Sequence, residues 1–566
     1  MIFFKNRRLY IAYSGVFFMF FILSARLIYL QIISSDHLIN ESNKRVLRIK
    51  SVSESRGMIT DRMGRVLAVN VPTTSIWVDP KVVHKCSEMN FDIVKWSALS
   101  SILGLSLKKL LCFINQHNLD RFLYLARRID SAIAEHISQL KLPGVYIQQE
   151  SKRYYPAGSA AAHLVGVTNV DNQGIEGVEK SFNGWLAGSP KTRLVYQDRL
   201  GRVVEDINLL NEGQLSKSIE LSIDERLQYV AYHELNNAVN IHKAKSGSVV
   251  LIDINTGEIL AIANSPSYNP NNFSSIKQSM MRNRAITDVF EPGSTVKPIV
   301  IMTALQHDII KKDSIINTLP YMINGHRIKD VSFNNQLTIS EILKKSSNVG
   351  VSKLALAMPV SILLNSYLNF GMGQSTNVGL IGENKGKLYS SNRYDSDIER
   401  AALSYGYGLM ITPLQLARMY AIIGGLSLSR QISIIKLDKS KSIPLISPSS
   451  NQIFSKSLMR TVINMMEVTT TSHSGCHQAA IEGYRVAVKT GTIKKVGSQG
   501  KYINKYIACT AGIAPVSNPR FALVVVIDDP KNGFYYGGMV SAPVFKSIMS
   551  STLKIMNVDP DCFNNI

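Results

Sequence analysis

The clearest apolar pattern is at the start of the chain. Leu9 to Ala25 carries no charge, follows Lys5, Arg7 and Arg8, and is interrupted by Arg26 before Leu27–Ile33 continues largely apolar. The uncharged run is near the lower limit for a membrane-spanning helix. Lys/Arg clustered on one side, with no basic residue between Arg26 and Lys44 except His37, favours a cytoplasmic N-terminus. No small-x-small site closes the run, so an uncleaved anchor is expected rather than a cleaved signal peptide. No other stretch has the length and apolarity of a span. Asp36 to Asn43 is polar and reads as a stalk leaving the membrane.

Beyond the stalk the pattern becomes mixed. Arg56-Gly57 through Gly64-Arg65 is turn-rich and leads into the apolar Val66-Leu67-Ala68, an entry into strand structure. Leu99–Ile114 and Ile129–Leu140 have helical spacing, Arg153 to Gly158 reads as a turn, and Gly174 to Glu179 opens another helical patch. A second domain is expected from Leu221. Ser222 or Asp224 can cap a helix running through Leu227 to Val239. Ser248–Ile254, Asn255-Thr256-Gly257 and Glu258–Ala263 read as a β-hairpin, and Ile507–Ile513 with Phe521–Ile527 as another strand pair. A long, mostly helical insert separates them. Helices beside a mainly antiparallel sheet make the class α+β. The expected limits are 1–35 for the N-terminus and anchor, 36–220 for a first extramembrane domain and 221–566 for a second.

Composition changes this picture little. A chain of 566 residues holds two or three domains. Its net charge of +22 is scattered through a Lys-, Ile-, Asn- and Ser-rich sequence, with no long basic run. That pattern fits compositional bias better than a polyanion-binding surface. No basic and aromatic module supports nucleic-acid binding. The five cysteines, Cys86, Cys112, Cys476, Cys509 and Cys562, are odd in number and contain no C-x-x-C, so neither a disulfide framework nor a zinc site is expected. HExxH, G-x-S-x-G and phosphate-loop patterns are absent, which disfavours a metal centre and a Ser-His-Asp triad.

Chemistry enters with three short segments in fixed order: Ser294-Thr295-Val296-Lys297, Ser346-Ser347-Asn348 and Lys489-Thr490-Gly491. Each alone is weak. Together they supply a nucleophile with a nearby amine, a polar relay and a cationic strand edge, the set that acyl transfer through a serine ester requires. A helix starting at or just before Ser294 would place Ser294 and Lys297 one turn apart on one face, with Pro298 tolerated in the first turn. Lys297 would accept the serine proton only if neutral, and burial with a second cation nearby, Lys489, would favour that state. Ser346 would relay a proton to the leaving amine, and Asn348 would hold the substrate amide. Tyr484 to Thr492 reads as a strand. There Lys489 would attract a substrate carboxylate, assisted by the Thr490 and Thr492 hydroxyls, and Gly491 would admit a close backbone. A peptide would add along this edge. The N–H groups of Ser294 and Thr492 are the candidate oxyanion donors.

This ordered set on a membrane-anchored chain resembles the class B penicillin-binding proteins. The resemblance extends through Arg56-Gly57 to Asp61-Arg62, Gly174-Ile175-Glu176, Tyr268 to Asn271, Phe290-Glu291-Pro292-Gly293, Gly406-Tyr407-Gly408, Thr412 to Gln415, Tyr536-Gly537-Gly538 and Ala542 to Phe545. Lys494-Lys495 with Tyr502 to Tyr506, and Arg520 to Pro530, are similar to the division-specific, FtsI-type branch of gamma-proteobacteria. The resemblance implies an elongated pedestal (penicillin-binding protein dimerisation) domain and a β-lactamase-like transpeptidase domain. It implies a cofactor-free D,D-transpeptidase that cross-links peptidoglycan stem peptides at the septum with release of D-Ala, is acylated by β-lactams at Ser294, and sits in the inner membrane with its catalytic domain periplasmic. The implied partners are an FtsW-type lipid-linked glycosyltransferase and other division proteins, met near Leu9–Ala25. Two departures stand out. Thr470 to Cys476 is usually glycine-rich in this class, so altered loop mobility is expected there. The chain also stops soon after Asp561, so tail processing is not expected. The competing readings are a D-alanyl-D-alanine carboxypeptidase or β-lactamase, which pass the acyl group to water, and a silent β-lactam-binding scaffold or sensor. A bifunctional enzyme with its own glycosyltransferase has no matching N-terminal segment.

Overall fold

The computed structural model describes residues 2–562 except 53–54, 88–91, 199–202, 273–275, 395, 439–453, 471–474 and 498–499. The chain divides into two compact units, Met1–Ser55 with Ala187–Ser216, and Arg56–Leu186 with Lys217–Ile566.

In the first unit a helix, Ile2–Ile28, continues through a π-helical turn, Tyr29–Ile33. The apolar helical stretch therefore runs from Leu9 to Ile33, past the charge that interrupts the sequence pattern at Arg26. One charged side chain does not stop backbone hydrogen bonding, and a long arginine near a helix end can reach an interface. Among the described residues this is the one continuous helix long and apolar enough to cross a membrane, and it anchors the chain. The polar stalk residues Asp36–Asn43 lie inside a regular helix, Ser35–Val46. A three-stranded antiparallel sheet of Leu47–Val52, Lys191–Gln197 and Val203–Asn211 completes the unit.

The second unit opens with a sheet built on one long strand, Val66–Val78, flanked by Leu123–Ile129 and Val145–Tyr154. Its inner face, with Ile76 and Val78, packs on Trp96, Leu99, Leu110, Ile114 and Ile137. The single helix expected over Leu99–Ile114 is in fact two, Ile93–Ile102 and Leu107–Gln116, because Gly104 takes a φ of +66° and ends the first. Ile129 belongs to a strand, and the helix that follows is Ser131–Gln139, capped by Asp130. Gly174–Glu176 is a short strand before the helix Gly177–Ser181. Beneath these elements Glu179 is fully buried. It accepts from Arg56 Nε at 2.5 Å and from Arg153 Nε at 2.7 Å.

The remainder forms an α/β sandwich. We label its elements α1 (Glu225–Ile241), β1 (Ser246–Asp253), β2 (Ile259–Ser265), α2 (Lys297–Gln306), α3 (Asn348–Leu356), α4 (Pro413–Gly424), α5 (Lys456–Glu467), β3 (Ala487–Val496), β4 (Tyr502–Ala514), β5 (Phe521–Asp528) and α6 (Ala542–Ile555). The sheet is antiparallel, in the order β2-β1-β5-β4-β3, which leaves β3 at an edge. Period-2 alternation sends Val249, Leu251, Leu523 and Val525 toward α1 and α6, and Val250, Ile252, Val524 and Val526 toward the helical insert. Both faces are covered, so these strands read as continuous apolar runs. Asp224, not Ser222, caps α1 by accepting from Arg226 N.

Removing Glu179 leaves two guanidinium groups buried without a counter-charge, a loss of about 3–5 kcal/mol. Glu179→Ala is expected to open the strand carrying Arg153 and the segment of Arg56 to limited proteolysis at denaturant concentrations that the parent chain withstands. An unchanged proteolysis midpoint would show that the cluster contributes little.

Candidate active site

Ser294 sits in a single 3-10 turn, Gly293–Val296, and the α-helix begins only at Lys297. A helix does begin just before Ser294, as expected, but its first turn is 3-10 in geometry. In an α-helix the Ser294 carbonyl would accept from residue 298, which is proline and has no N–H. The Lys297 N–H bonds to it instead. The turn is held from two sides: Thr295 Oγ1 donates to Pro292 O at 2.7 Å, and the buried Tyr420 hydroxyl of α4 donates to Thr295 O at 2.9 Å.

Lys297 is fully buried, and its Nζ donates to Ser346 O at 2.6 Å, Asn348 Oδ1 at 2.8 Å and Ser346 Oγ at 3.2 Å. Lys489, also buried, donates to the same Ser346 Oγ at 3.0 Å and to Thr490 O at 3.1 Å. Burial lowers the Lys297 amine well below its ordinary value, and the charge of Lys489 pushes it further the same way, opposed by Asp330. Burial likewise lowers Lys489. The carbonyl oxygen and Asn348 Oδ1 can only accept, so they take two of the Lys297 protons. The third contact, to a hydroxyl that can donate or accept, accommodates a neutral amine.

Ser346 adopts a φ of 54°, which turns the chain between the helix Ile339–Lys344 and α3. Ser347 does the capping, accepting from Gly350 N at 2.8 Å. Asp330 holds this junction from outside the motif. It accepts from Ser347 Oγ at 2.5 Å, Asn348 N at 2.6 Å and Val349 N at 2.9 Å. The sequence reading missed Asp330, since its distance from the motif along the chain carries no recognisable spacing.

On β3, alternation separates the expected substrate-binding residues. Lys489, Gly491 and Ile493 face the serine turn. A Cβ on Gly491 would lie 3.3 Å from Pro292 O and from Thr295 Cγ2, and one on Gly293 would lie 2.6 Å from Ile493 Cγ1. Thr490 and Thr492 turn to the other side: Thr490 Oγ1 lies 3.2 Å from Cys476 Sγ, and Thr492 Oγ1 accepts from Gly537 N at 3.0 Å. The structure thus brings Lys297, Ser346, Asn348 and Lys489 into one hydrogen-bonded set beside Ser294. The two threonine hydroxyls stand at the strand edge, outside that set. Thr469 anchors the start of the edge by donating to Val488 O at 2.5 Å. Of the segment before β3, residues 471–474, on which altered mobility was expected, lie outside the described residues.

The opposite flank is a backbone-to-backbone contact. Gly293 N donates to Gly406 O at 3.1 Å, and a side chain on Gly406 (φ +81°) would overlap the Gly293 carbonyl. The Glu291 carboxylate accepts from Gly408 N at 2.8 Å and from the Tyr502 hydroxyl at 3.2 Å, tying the serine turn to this loop and to β4. Burial pushes the Glu291 carboxyl up, against the hydrogen bonds from Gly408 and Tyr502.

The fold and this constellation, a serine turn set beside two buried lysines that share one serine hydroxyl, match one class of protein. Residues 247–550 match the family described as penicillin binding protein transpeptidase domain, and residues 51–221 the penicillin-binding protein dimerisation domain. The chain is 56% identical to the peptidoglycan D,D-transpeptidase FtsI of Escherichia coli K12, over 95% of this chain and 90% of that protein. It is 54% identical to FtsI of Buchnera aphidicola subsp. Schizaphis graminum, over 98% and 95%. A peptidoglycan synthetase of Bifidobacterium adolescentis shares the fold with a TM-score of 0.70 at 24% identity, covering 92% of this chain and 98% of that one. The chain belongs to the class B penicillin-binding proteins.

The pH dependence of acylation follows from the two lysines. With Lys297 as the base for Ser294, acylation would need it neutral, and the rate would rise as pH rises through the depressed Lys297 value. Lys489→Met removes the repelling charge, makes Lys297 harder to deprotonate, and is expected to move the rising limb of penicillin acylation to higher pH. A limb that stays or moves lower would show that Lys489 does not tune Lys297.

Proposed function

We propose that this chain is a peptidoglycan D,D-transpeptidase of the division septum, with Ser294 as nucleophile and Lys297, Ser346, Asn348 and Lys489 as its machinery. The convergence of both lysines on the Ser346 hydroxyl, beside the serine turn, carries this reading. Neutral Lys297 takes the Ser294 proton as the serine oxygen attacks the carbonyl of the D-Ala-D-Ala bond. The C–O ester bond forms, the C–N bond breaks, and the departing D-Ala amine receives a proton through Ser346. An amine of a second stem peptide then attacks the ester, forming the cross-link and returning a proton to Ser294. Preorganised N–H groups of Ser294 and Thr492 stabilise the oxyanion, each worth about 3 kcal/mol.

Lys489 attracts the terminal carboxylate of the donor, which lies along the free edge of β3. Thr492 accepts from Gly537, so its own hydroxyl proton remains available to that carboxylate, with Thr490 beside it. β-Lactams acylate the same serine. Lys5, Arg7 and Arg8 keep the N-terminus cytoplasmic, which puts the catalytic domain in the periplasm. The anchor at 1–35 meets an FtsW-type glycosyltransferase and other division proteins, the pedestal spans 36–220, and the transpeptidase domain spans 221–566.

Ser294→Ala is expected to abolish labelling by a fluorescent penicillin while leaving the thermal unfolding profile in place. Persistent labelling would place the nucleophile elsewhere. Given a donor peptide and an amino acceptor, the parent chain is expected to form the cross-linked peptide; free acid as the sole product would support the hydrolytic reading instead.

A further inference from the structure

The acyl-enzyme is resolved by an amine that must reach Ser294 while passing a proton into the Lys297–Ser346–Lys489 set. Its carrier therefore rests on the surface next to Ser346 and Asn348. That surface is a small hairpin, Tyr321–Ile323 with His326–Ile328, followed by the loop 329–335. The hairpin is fastened to α3: the Tyr321 hydroxyl lies 2.8 Å from Ser352 Oγ, and Ile323 and Ile328 pack on Val349. The loop is fastened by Asp330 to Ser347, Asn348 and Val349, and by Asn334 Oδ1 to Lys345 Nζ at 2.6 Å.

The charge on this surface is one-sided. Arg327, Lys329 and Lys345 are exposed, Lys344 is half-buried, and none forms an ion pair among the described residues. Asp330 is turned onto the α3 N-terminus, and Asp397 and Glu399 pair with Arg400 and Arg393. Glu341 accepts from Thr338 and also feels the charges of Lys345 and Lys344 through space, whereas Arg327 and Lys329 form no ion pair among the described residues. Between the cations, Val331 and Phe333 are 88% and 74% exposed. A cationic rim around apolar tips complements an anionic peptide with small apolar side chains. Any peptide acceptor ends in a carboxylate; that of the leaving D-Ala is already met by Lys489 on β3, and water carries none.

We infer that Arg327, Lys329 and Lys345, with Val331 and Phe333, form the docking surface for the acceptor stem peptide, recognising its carboxylates. This rests on the transpeptidase reading and assigns the acceptor side of the same site. These residues position the incoming amine and take no part in forming the acyl-enzyme.

The test uses the full chain in detergent with a labelled D-Ala-D-Ala donor and two amino acceptors, one stem peptide with free carboxylates and the same peptide amidated. The readout is the ratio of cross-linked to hydrolysed product. The triple variant Arg327→Glu, Lys329→Glu, Lys345→Glu is expected to lower that ratio about ten-fold for the carboxylate acceptor and less than two-fold for the amidated one, the order expected for several reversed exposed contacts. Parent enzyme in rising salt should show the same selectivity, independently of how the variant folds. Equal losses with both acceptors, no loss with either, or a salt effect blind to acceptor charge would overturn the inference. A parent chain that forms no cross-link with either acceptor would overturn the transpeptidase reading, and the inference with it.

Discussion

Two lysine side chains share one serine hydroxyl in the interior of this protein, and much of the surrounding architecture follows from that. An ammonium group loses several kcal/mol of solvation on burial, and a second one close by adds repulsion. The fold meets this cost by surrounding Lys297 with acceptors rather than counter-ions: a carbonyl, an amide oxygen and the hydroxyl. A carboxylate in contact would instead hold Lys297 protonated and useless as a base. Asp330 carries the charge nearest to that role, and its hydrogen bonds to Ser347, Asn348 and Val349 turn it onto a helix end.

Geometry of this kind tolerates little movement, and the chain restricts it by bringing backbones together. Gly293 lies against Gly406 on one side, while Gly491 lies against Pro292 on the other. Above the serine turn, α4 is buried along its whole length and supplies the Tyr420 hydroxyl. Ser294 is therefore gripped between a glycine loop, a sheet edge and a buried helix. A penicillin or a stem peptide meets a site that is already assembled.

Much of this is legible in the amino-acid sequence. The β1–β2 hairpin, the β4–β5 pair and α1 have strong patterns, and turn residues such as Asn255-Thr256-Gly257 mark their limits. Long apolar strands read correctly because both faces of the sheet are covered. The errors fell where a local signal competes with the period. Gly104 broke one expected helix, and Ile129 ends a strand where a helix was expected to open. The three motifs also carried the identity of the four residues that meet. They did not carry the separation of Thr490 and Thr492 from Lys489, although the alternation of a strand implies it once β3 is drawn.

The sequence alone supplies the inventory: two serines, two amines, an amide, an apolar anchor and the order in which they occur. Covalent spacing and side-chain chemistry suffice for that. Folding brings both amines to one hydroxyl, sets Asp330 and Glu291 to brace the site from remote or unremarkable positions, and leaves Arg327 and Lys329 without an ion pair among the described residues. Those facts depend on which segments the folded core presses together. Desolvation and pairing act on distances in space, which residue spacing along a chain does not fix.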